Sequence, residues 1–384
     1  MTDLALGTYG SCPTRQSAAQ LSAAIGIARV MGILGIVYVH AWTGLSGGML
    51  TTLNHDPQNL MRWGLVELLG RSAVPLLGII SGWLVAGSVS KRPVGEFIKG
   101  KARTILLPMV LWNILAILFV SGSAFMGLIK APLPSTLHWI VDEVFCLFTP
   151  DDINVQMSFL RDLFICMLAA PLLARLPNKA LAFIAGVALV WVLSGANFIL
   201  MLRPAILFFF IIGMLVRRTN LANVVGAQPV VLMAVPYIVL AALKIWAETA
   251  GVSTGAGHPV LMAGLDTLMR LATAAFFWSL AWRFAANRAG EVLLRFEPYA
   301  FLLFCSHLIM IWLGGPLIGT LTGPLGSPLY PVFFLLQPVL AVTGAVMLGR
   351  FLMENAPDAA FILSGGRLKA RAHGDPAPQM PARY

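Results

Sequence analysis

The chain has 384 residues, of which 58% are hydrophobic and only 11% are charged, and its formal net charge is +10. About a quarter of the residues in ordinary soluble domains are charged, so this composition excludes a soluble globular protein. The stretches between apolar runs reach only about 30 residues, too few to fold around a core of their own. We therefore predict an all-α, polytopic membrane helical bundle in which any chemistry takes place among the helices.

Apolar runs close to the roughly 20 residues that cross a bilayer occur about ten times along the chain. They lie at 24–43, 64–86, 105–129, 158–174, 180–196, 203–216, 229–247, 261–282, 299–320 and 330–352. Residues 1–23 would form an N-terminal segment, 24–354 the membrane domain and 355–384 a disordered tail rich in Pro, Gly and Arg. The first run lacks a small-residue cleavage pattern after it, so it should remain as a helix.

The basic residues predict the orientation, because Lys and Arg collect in cytoplasmic loops. With the N-terminus inside, the inner segments hold eighteen Lys and Arg residues, whereas the outer loops hold three, Arg62, Lys130 and Arg203. We therefore predict that the N-terminus and the tail are cytoplasmic. This asymmetry accounts for the positive charge, so the bilayer is the predicted partner and a nucleic acid is not.

The first span carries Arg29 and His40, eleven residues apart. At about 100° per residue, eleven steps make roughly three turns, so both side chains project from one helix face about 16 Å apart. Ionisable side chains inside a span usually have a function. One helix is thus predicted to hold an anion at Arg29 and to handle a proton at His40.

Other charged residues follow in chain order. Glu67 and Arg71 are four apart on the second span, where structural pairing is the favoured interpretation. Lys99, Lys101 and Arg103 precede the third span; they either flank it as topology signals or meet a polyanion such as the phosphates of coenzyme A.

Four positions are candidates for supporting the catalytic residues or for contacting the acceptor, namely Glu67, Arg71, Arg161 and His307. Arg161 begins the fourth span, and His307 lies one turn inside the ninth. The outer loop at 130–157 combines acidic and aromatic residues, which favours an interfacial aromatic belt and, second, a surface that stacks on sugars. The four cysteines show no metal or redox spacing, so neither a metal site nor a disulfide framework is predicted.

Taken in order, these pieces resemble the acyltransferase-3 family of bacterial integral-membrane proteins, which O-acylate sugars and other exported or surface molecules. The matching residues are Arg29 and His40; Ser81, Gly82, Trp83 and Leu84; Arg103, Ile105 and Pro108; Phe159, Leu160 and Arg161; Ser306 and His307; and Glu354 and Pro357. Two departures are Ser158, where the family usually has Trp, and Lys101 with Arg103, where paired arginines are common. The chain resembles the stand-alone form, without a hydrolase-like domain.

The resemblance implies an inner-membrane enzyme that moves an acyl group, usually acetyl, from cytoplasmic acyl-CoA to a hydroxyl of an exported or surface glycan, or of a lipid-linked saccharide. Acyl-CoA is then a cosubstrate, and no bound cofactor is predicted. His40 would act as the base, since imidazole titrates near pH 6.5, or as a transient acyl carrier. Arg29 or a backbone amide near Gly82 would stabilise the oxyanion.

Two alternatives remain open at this point, and a third is disfavoured. O-succinyl transfer would need a further cation near the donor pocket, for which Lys244 and Arg270 are candidates. A transporter or flippase of lipid-linked sugars would use the same charged residues to bind substrate or relay protons. A structural scaffold conflicts with the number of intramembrane charges.

Overall fold

The computed structural model describes residues 15–45, 56–71, 73–149, 152–196, 200–249 and 258–369. Within these ranges the regular secondary structure is helical and contains no β-strand, which confirms the all-α prediction. The helices in chain order are α1 (Arg15–Val39), α2 (Pro57–Leu65), α3 (Ala73–Ala86), α4 (Val94–Lys101), α5 (Leu107–Ala116), α6 (Gly122–Phe125), α7 (Leu137–Phe145), α8 (Met157–Leu173), α9 (Asn178–Ser194), α10 (Pro204–Arg218), α11 (Leu221–Ala227), α12 (Val230–Thr249), α13 (His258–Phe284), α14 (Arg288–Leu294), α15 (Glu297–Thr322), α16 (Tyr330–Asn355) and α17 (Pro357–Leu363). Single π-helical turns at Val66–Gly70, Ala102–Leu106 and Ile117–Ser121 join shorter helices into longer ones.

Helices lie at all ten predicted positions, but they differ in length. Seven of those described are long and apolar enough to cross a bilayer: Ala18–Val39, Pro57–Lys91, Val94–Phe125, Val230–Ala247, Pro259–Phe284, Glu297–Thr322 and Tyr330–Asn355. An eighth results if α10 and α11, which meet at 89°, form one broken span. Helices α8 and α9 have 17 residues each, about 25 Å against a hydrocarbon core of about 30 Å. The number of ten spans and the cytoplasmic N-terminus stay predictions.

Glycines set the closest helix contact in the bundle, between α3 and α10. A Cβ at Gly82 would collide with the carbonyl of Phe210, and a Cβ at Gly213 would collide with the carbonyl of Ile79. Small residues allow such close backbone approach, which is how membrane helices gain packing energy without a hydrophobic driving force. Helix α3 therefore has a fixed position, with one face towards α1 and α8 and another towards α13.

The segment after Asn355 corrects the prediction of a wholly disordered tail. Helix α17 begins at Pro357, a favourable first helical residue, and ends at Leu363, shortly before Gly365 and Gly366, whose φ angles are positive. The Leu363 carbonyl accepts a hydrogen bond from the Trp112 indole at 3.0 Å, and Leu368 is buried. The prediction of disorder is wrong up to residue 369, because apolar side chains dock this segment on the bundle; residues 370–384 lie outside the described ranges.

Candidate active site

A cavity of about 800 Å³, counted with its open mouth, lies between α1, α3, α8, α15 and the segment after α17. Its lining residues are Arg29, Ile33, Leu77, Ser81, Leu84, Val85, Lys101, Ile105, Phe159, Leu160, Leu163, Met167, Glu297, Ala300, Phe301, Phe304 and Arg367. The charged residues lie towards the basic loops, and the apolar walls lead to Phe159 and Phe304. The cavity thus has a charged mouth and an apolar interior.

Three cations and one carboxylate line this mouth. Arg29 pairs with Glu297 at 3.3 Å, with about a third of each side chain exposed (31% and 33%). The Arg367 guanidinium lies 4.0 Å above the Phe301 ring, and the Lys101 ammonium lies 5.5 Å from the Phe97 ring. The lining therefore has a surplus of positive charge, which suits a polyanionic ligand.

Arg367 keeps its charge in this setting. Water reaches its side chain, but surrounding protein atoms remove part of its hydration, and this burial together with the charge of Arg29 lowers its pKa to about 10. At neutral pH the guanidinium is still protonated, so Arg367 contributes a full positive charge to the mouth.

Only one of the three predicted donor-binding residues lines the cavity. Lys101 is partly buried in its wall, whereas Lys99 and Arg103 are exposed. Residues two apart on a helix differ by about 200°, so Lys101 faces away from both neighbours. Of the three, Lys101 alone lines this cavity, and its contact with a donor stays a prediction. Arg367, which the sequence analysis placed in a disordered tail, also lines the cavity.

The two predicted histidines, His40 and His307, lie next to each other. His40 directly follows the last residue of α1 and is partly buried, and its ring centroid lies 5.5 Å from that of the fully buried His307 on α15. The rings are tilted by 43°. Two imidazoles at this separation can together take a proton from a substrate or return it.

Hydrogen bonding defines the tautomer of a neutral His307. Its Nδ1 lies 3.1 Å from the Leu303 carbonyl oxygen and 2.9 Å from that of Phe304. Carbonyl oxygens only accept, so Nδ1 carries the hydrogen and donates it. The other ring nitrogen, Nε2, is then a free lone pair, and it is buried without a partner among the described residues.

Two more unpartnered buried atoms belong to neighbours of His307. They are the Oγ of Ser306, which precedes it, and the Oε1 of Gln156. The Gln156 amide nitrogen donates to the same Phe304 carbonyl, at 3.5 Å, which places Gln156 beside His307. Buried polar atoms are nearly always hydrogen-bonded, so this cluster indicates a place for a polar ligand or water.

An aromatic pair in the cavity wall lies next to His307. The rings of Phe159 and Phe304 meet at 5.8 Å in an edge contact, and Phe304 lies 6.3 Å from the His307 ring. Both phenylalanines line the cavity. Phe304 therefore contacts both the cavity and the neighbourhood of His307.

The chain after α1 is fixed by residues that sequence reasoning missed. The Gln337 amide accepts from the Trp42 backbone nitrogen at 2.7 Å and donates to the Trp42 carbonyl at 3.1 Å. The Tyr330 hydroxyl donates to the same carbonyl at 3.0 Å. These bonds anchor the turn that carries His40. The only hint in the sequence was a polar residue, Gln337, inside an apolar run. A glutamine in such a run is often purely structural, so the pattern did not point to this contact.

Glu67 and Arg71 form the predicted pair, at 2.9 Å, within a larger ion network outside the cavity. Lys244 contacts Glu67 and Asp266 at 2.6 Å each, and Arg270 contacts Asp266 at 2.5 Å. Lys244 and Glu67 are buried, so the network satisfies charges inside the bundle. Lys244 and Arg270, named as possible cations near the donor pocket, do not line it.

Arg161 and the outer acidic residues have structural contacts. Arg161 pairs with Asp162 at 2.6 Å and donates to the carbonyls of Leu147 and Leu200. Glu143 accepts from the backbone nitrogens of Asp152 and Ile153 at 2.8 Å each. Burial raises the pKa of Glu143 despite these bonds. These hydrogen bonds connect the outer loops, and Glu143 is occupied by the backbone of its own loop.

Within the described ranges, no three His, Cys, Asp or Glu side chains are grouped in a way that could hold a metal ion. The cysteines described there, Cys146, Cys166 and Cys305, are buried and form no disulfide with one another. The site therefore consists of cations, one carboxylate, two imidazoles and neutral polar groups. Such a set can bind an anionic donor and move a proton.

Comparison with known proteins defines the class. Residues 22–350 match the model of an acyltransferase domain, the acyltransferase-3 family. The chain belongs to this family, as the resemblance predicted, and it is an acyltransferase.

A curated relative is similar along almost its whole length. The succinoglycan biosynthesis protein ExoH of Rhizobium meliloti (strain 1021) is 28% identical over 389 residues, which cover 94% of this chain and 96% of ExoH. No solved structure gives a significant match.

Proposed function

We propose that the protein transfers an acyl group from cytoplasmic acyl-CoA to a sugar hydroxyl of an exported or cell-surface polysaccharide, from within the bacterial inner membrane. The observation that carries this proposal is a cavity with cationic and apolar lining, one of whose residues, Phe304, lies beside the histidine pair. The name of the similar protein ExoH, a succinoglycan biosynthesis protein, supports a glycan acceptor.

In this proposal the charged mouth binds the donor. Arg29, Lys101 and Arg367 contact the nucleotide phosphates, and the apolar interior takes the pantetheine arm. Charge-assisted hydrogen bonds to phosphate are among the strongest polar contacts in proteins. The thioester then passes between Phe159 and Phe304 and reaches the histidines.

The chemical step uses His40 as general base. The acceptor hydroxyl gives its proton to His40 as its oxygen attacks the thioester carbonyl; the tetrahedral intermediate collapses, the carbon–sulfur bond breaks, and the coenzyme A thiolate leaves and takes up a proton. The buried Nε2 of His307 orients His40 or the hydroxyl by accepting a hydrogen bond. The amide of Gln156 and the hydroxyl of Ser306 are available to the developing oxyanion, since both can donate.

The acyl group is proposed to be acetyl. Succinyl is the second candidate, because its free carboxylate needs a cation and the cavity lining has more cations than carboxylates. The acceptor approaches from the side opposite the basic loops, where the turn after α1 carries His40.

The proposal is tested by measuring ester-linked acyl groups on surface and secreted glycans, by mass spectrometry after mild alkali treatment. A deletion strain is complemented with wild type, with His40→Ala or with the control His138→Ala, whose side chain is exposed and stacks on Phe148. We expect wild type and the control to restore one defined ester and His40→Ala not to, at equal membrane abundance. Unchanged esters in the deletion strain would contradict acyl transfer and favour the transporter alternative.

A further inference from the structure

A second cavity, separate from the candidate active site, opens between α1, α3, α10, α11 and α13. Its volume is about 700 Å³, counted with its open mouth, and every side chain that lines it is aliphatic or aromatic. They are Ile25, Leu76, Ile79, Ile80, Trp83, Ile212, Val216, Leu221, Ala222, Val225, Leu271, Ala274, Ala275 and Trp278. The polar indole nitrogen of Trp278 is bonded to the Ala222 carbonyl at 2.7 Å, so it adds no free donor. We call this cavity the apolar groove.

The apolar groove continues into a polar pocket at the basic end of the bundle. This pocket, about 640 Å³ with its mouth, is lined by Ala18, Leu21, Trp83, Arg217, Asn220, Ala222 and Asn223. It shares Trp83 and Ala222 with the groove. Residues of α11 line both cavities, and Arg217 in the pocket directly follows the groove residue Val216 on α10.

Arg217 is the charged group of this pocket. Its guanidinium lies 4.0 Å above the Trp83 ring and against Gly87, where any Cβ would collide with it. The side chain is exposed, and it has no carboxylate partner among the residues that the structure describes. The neighbouring Arg218 differs, because it donates to the carbonyls of Ala174 and Leu176. Arg217 is thus positioned by an aromatic ring with its charge unneutralised.

The dimensions suit a lipid standing in one leaflet. From Leu76 to Trp83 the groove follows α3 for about 10 Å, within the roughly 15 Å of hydrocarbon in half a bilayer. Trp83 lies at the junction of groove and pocket, as aromatic residues do at the boundary between hydrocarbon and headgroups. An acyl chain fits the groove by its apolar lining, and an anionic headgroup fits the pocket by its charge.

We propose that the apolar groove and the polar pocket together form a specific site for one membrane phospholipid with an anionic headgroup, whose phosphate contacts Arg217 and whose acyl chain contacts α3, α10 and α13. This lipid also touches Ile25 on α1, one turn before Arg29. The site is therefore distinct from the donor cavity but shares helices α1 and α3 with it.

A purely structural clamp of Arg217 on Trp83 is the competing explanation, and it predicts no preference for a headgroup. Native mass spectrometry of the full-length protein distinguishes the two, after exchange into detergent with added phosphatidylglycerol or zwitterionic phosphatidylcholine. Wild type should retain phosphatidylglycerol at least fivefold more than phosphatidylcholine. Arg217→Gln should abolish this preference. Arg175→Gln, which removes an exposed arginine at the same end of the bundle, should keep it.

A second variant and a second measurement cover a possible folding defect. Ala275→Phe fills the groove and should reduce retained phosphatidylglycerol at least fivefold. In unaltered protein, brominated phosphatidylglycerol should quench tryptophan fluorescence more than brominated phosphatidylcholine does, because Trp83 and Trp278 line the groove. Equal retention of the two lipids, an unchanged preference in Arg217→Gln, or a retained mass belonging to a lipid-linked saccharide would overturn the proposal.

Discussion

Arg29 on α1 pairs with Glu297 at the beginning of α15, and the same two helices bring His40 and His307 together further along. Eleven residues separate Arg29 from His40 and ten separate Glu297 from His307, about 16 Å and 15 Å of helix. Equal axial distances on two helices indicate that α1 and α15 run side by side in the same direction. The ion pair at the cavity mouth and the histidine pair therefore depend on one helix packing.

Lys101→Gln should weaken the binding of acyl-CoA and leave the rate of the chemical step unchanged. Removing one of three cations that line the cavity should raise the KM for acyl-CoA by about tenfold, with little change in kcat, because one charge-assisted contact contributes about 1.5 kcal/mol. The measurement is initial rates in membranes at varied acyl-CoA. Lys99→Gln and Arg103→Gln are the matched controls, since both side chains are exposed outside the cavity. Equal effects in all three variants would contradict a specific role of Lys101.

Glu297→Gln should strengthen the binding of acyl-CoA. The substitution releases Arg29 and removes the only carboxylate that the described residues contribute to the cavity lining. We expect the KM for acyl-CoA to fall about two- to fivefold at low salt, and the gain to disappear at high salt because ions screen exposed charges. A KM that rises at every salt concentration would show that the pair is needed mainly to hold α1 against α15.

His307→Ala should lower kcat by about 10²-fold or more, the usual range for a lost proton-handling group. The KM for acyl-CoA should change little, because His307 does not line the cavity. Rates of wild type and variant at saturating donor provide the test. Cys305→Ser, another buried change on α15, controls for disturbed packing. A kcat loss of similar size in Cys305→Ser would assign the effect to packing.

Gly82→Ala should destabilise the bundle, because the new methyl group would meet the Phe210 carbonyl and push α3 away from α10. We expect a loss of about 1–3 kcal/mol, the usual cost of overpacking. Thermal unfolding in detergent measures it. Gly186→Ala on α9 is the control, since a Cβ there meets nothing within 4 Å, and it should be neutral or stabilising. Equal melting temperatures for the two variants would refute the close-contact account.

Local patterns predicted the helices and the short-range pairs. Apolar runs indicated every long helix, and four-residue spacing indicated Glu67 with Arg71, because both depend on neighbours in the chain. Arg29 required a partner, but its identity was not predictable, since Glu297 lies 268 positions away. The position of Gln156 beside Phe304 likewise depends on tertiary packing. Arg367 was missed because its segment has a loop-like composition, yet docked apolar residues hold it in the cavity.

The most direct test of the account uses membrane vesicles and acyl-CoA labelled in its acyl group, because acyl-CoA does not cross a bilayer. Label is measured as alkali-labile ester on glycan, in inverted vesicles that expose the cytoplasmic face and in right-side-out vesicles. We expect labelling in inverted vesicles only, lost in His40→Ala and retained in His138→Ala. Labelling by right-side-out vesicles, or undiminished labelling in His40→Ala, would contradict a cytoplasmic donor cavity that leads to a catalytic histidine pair.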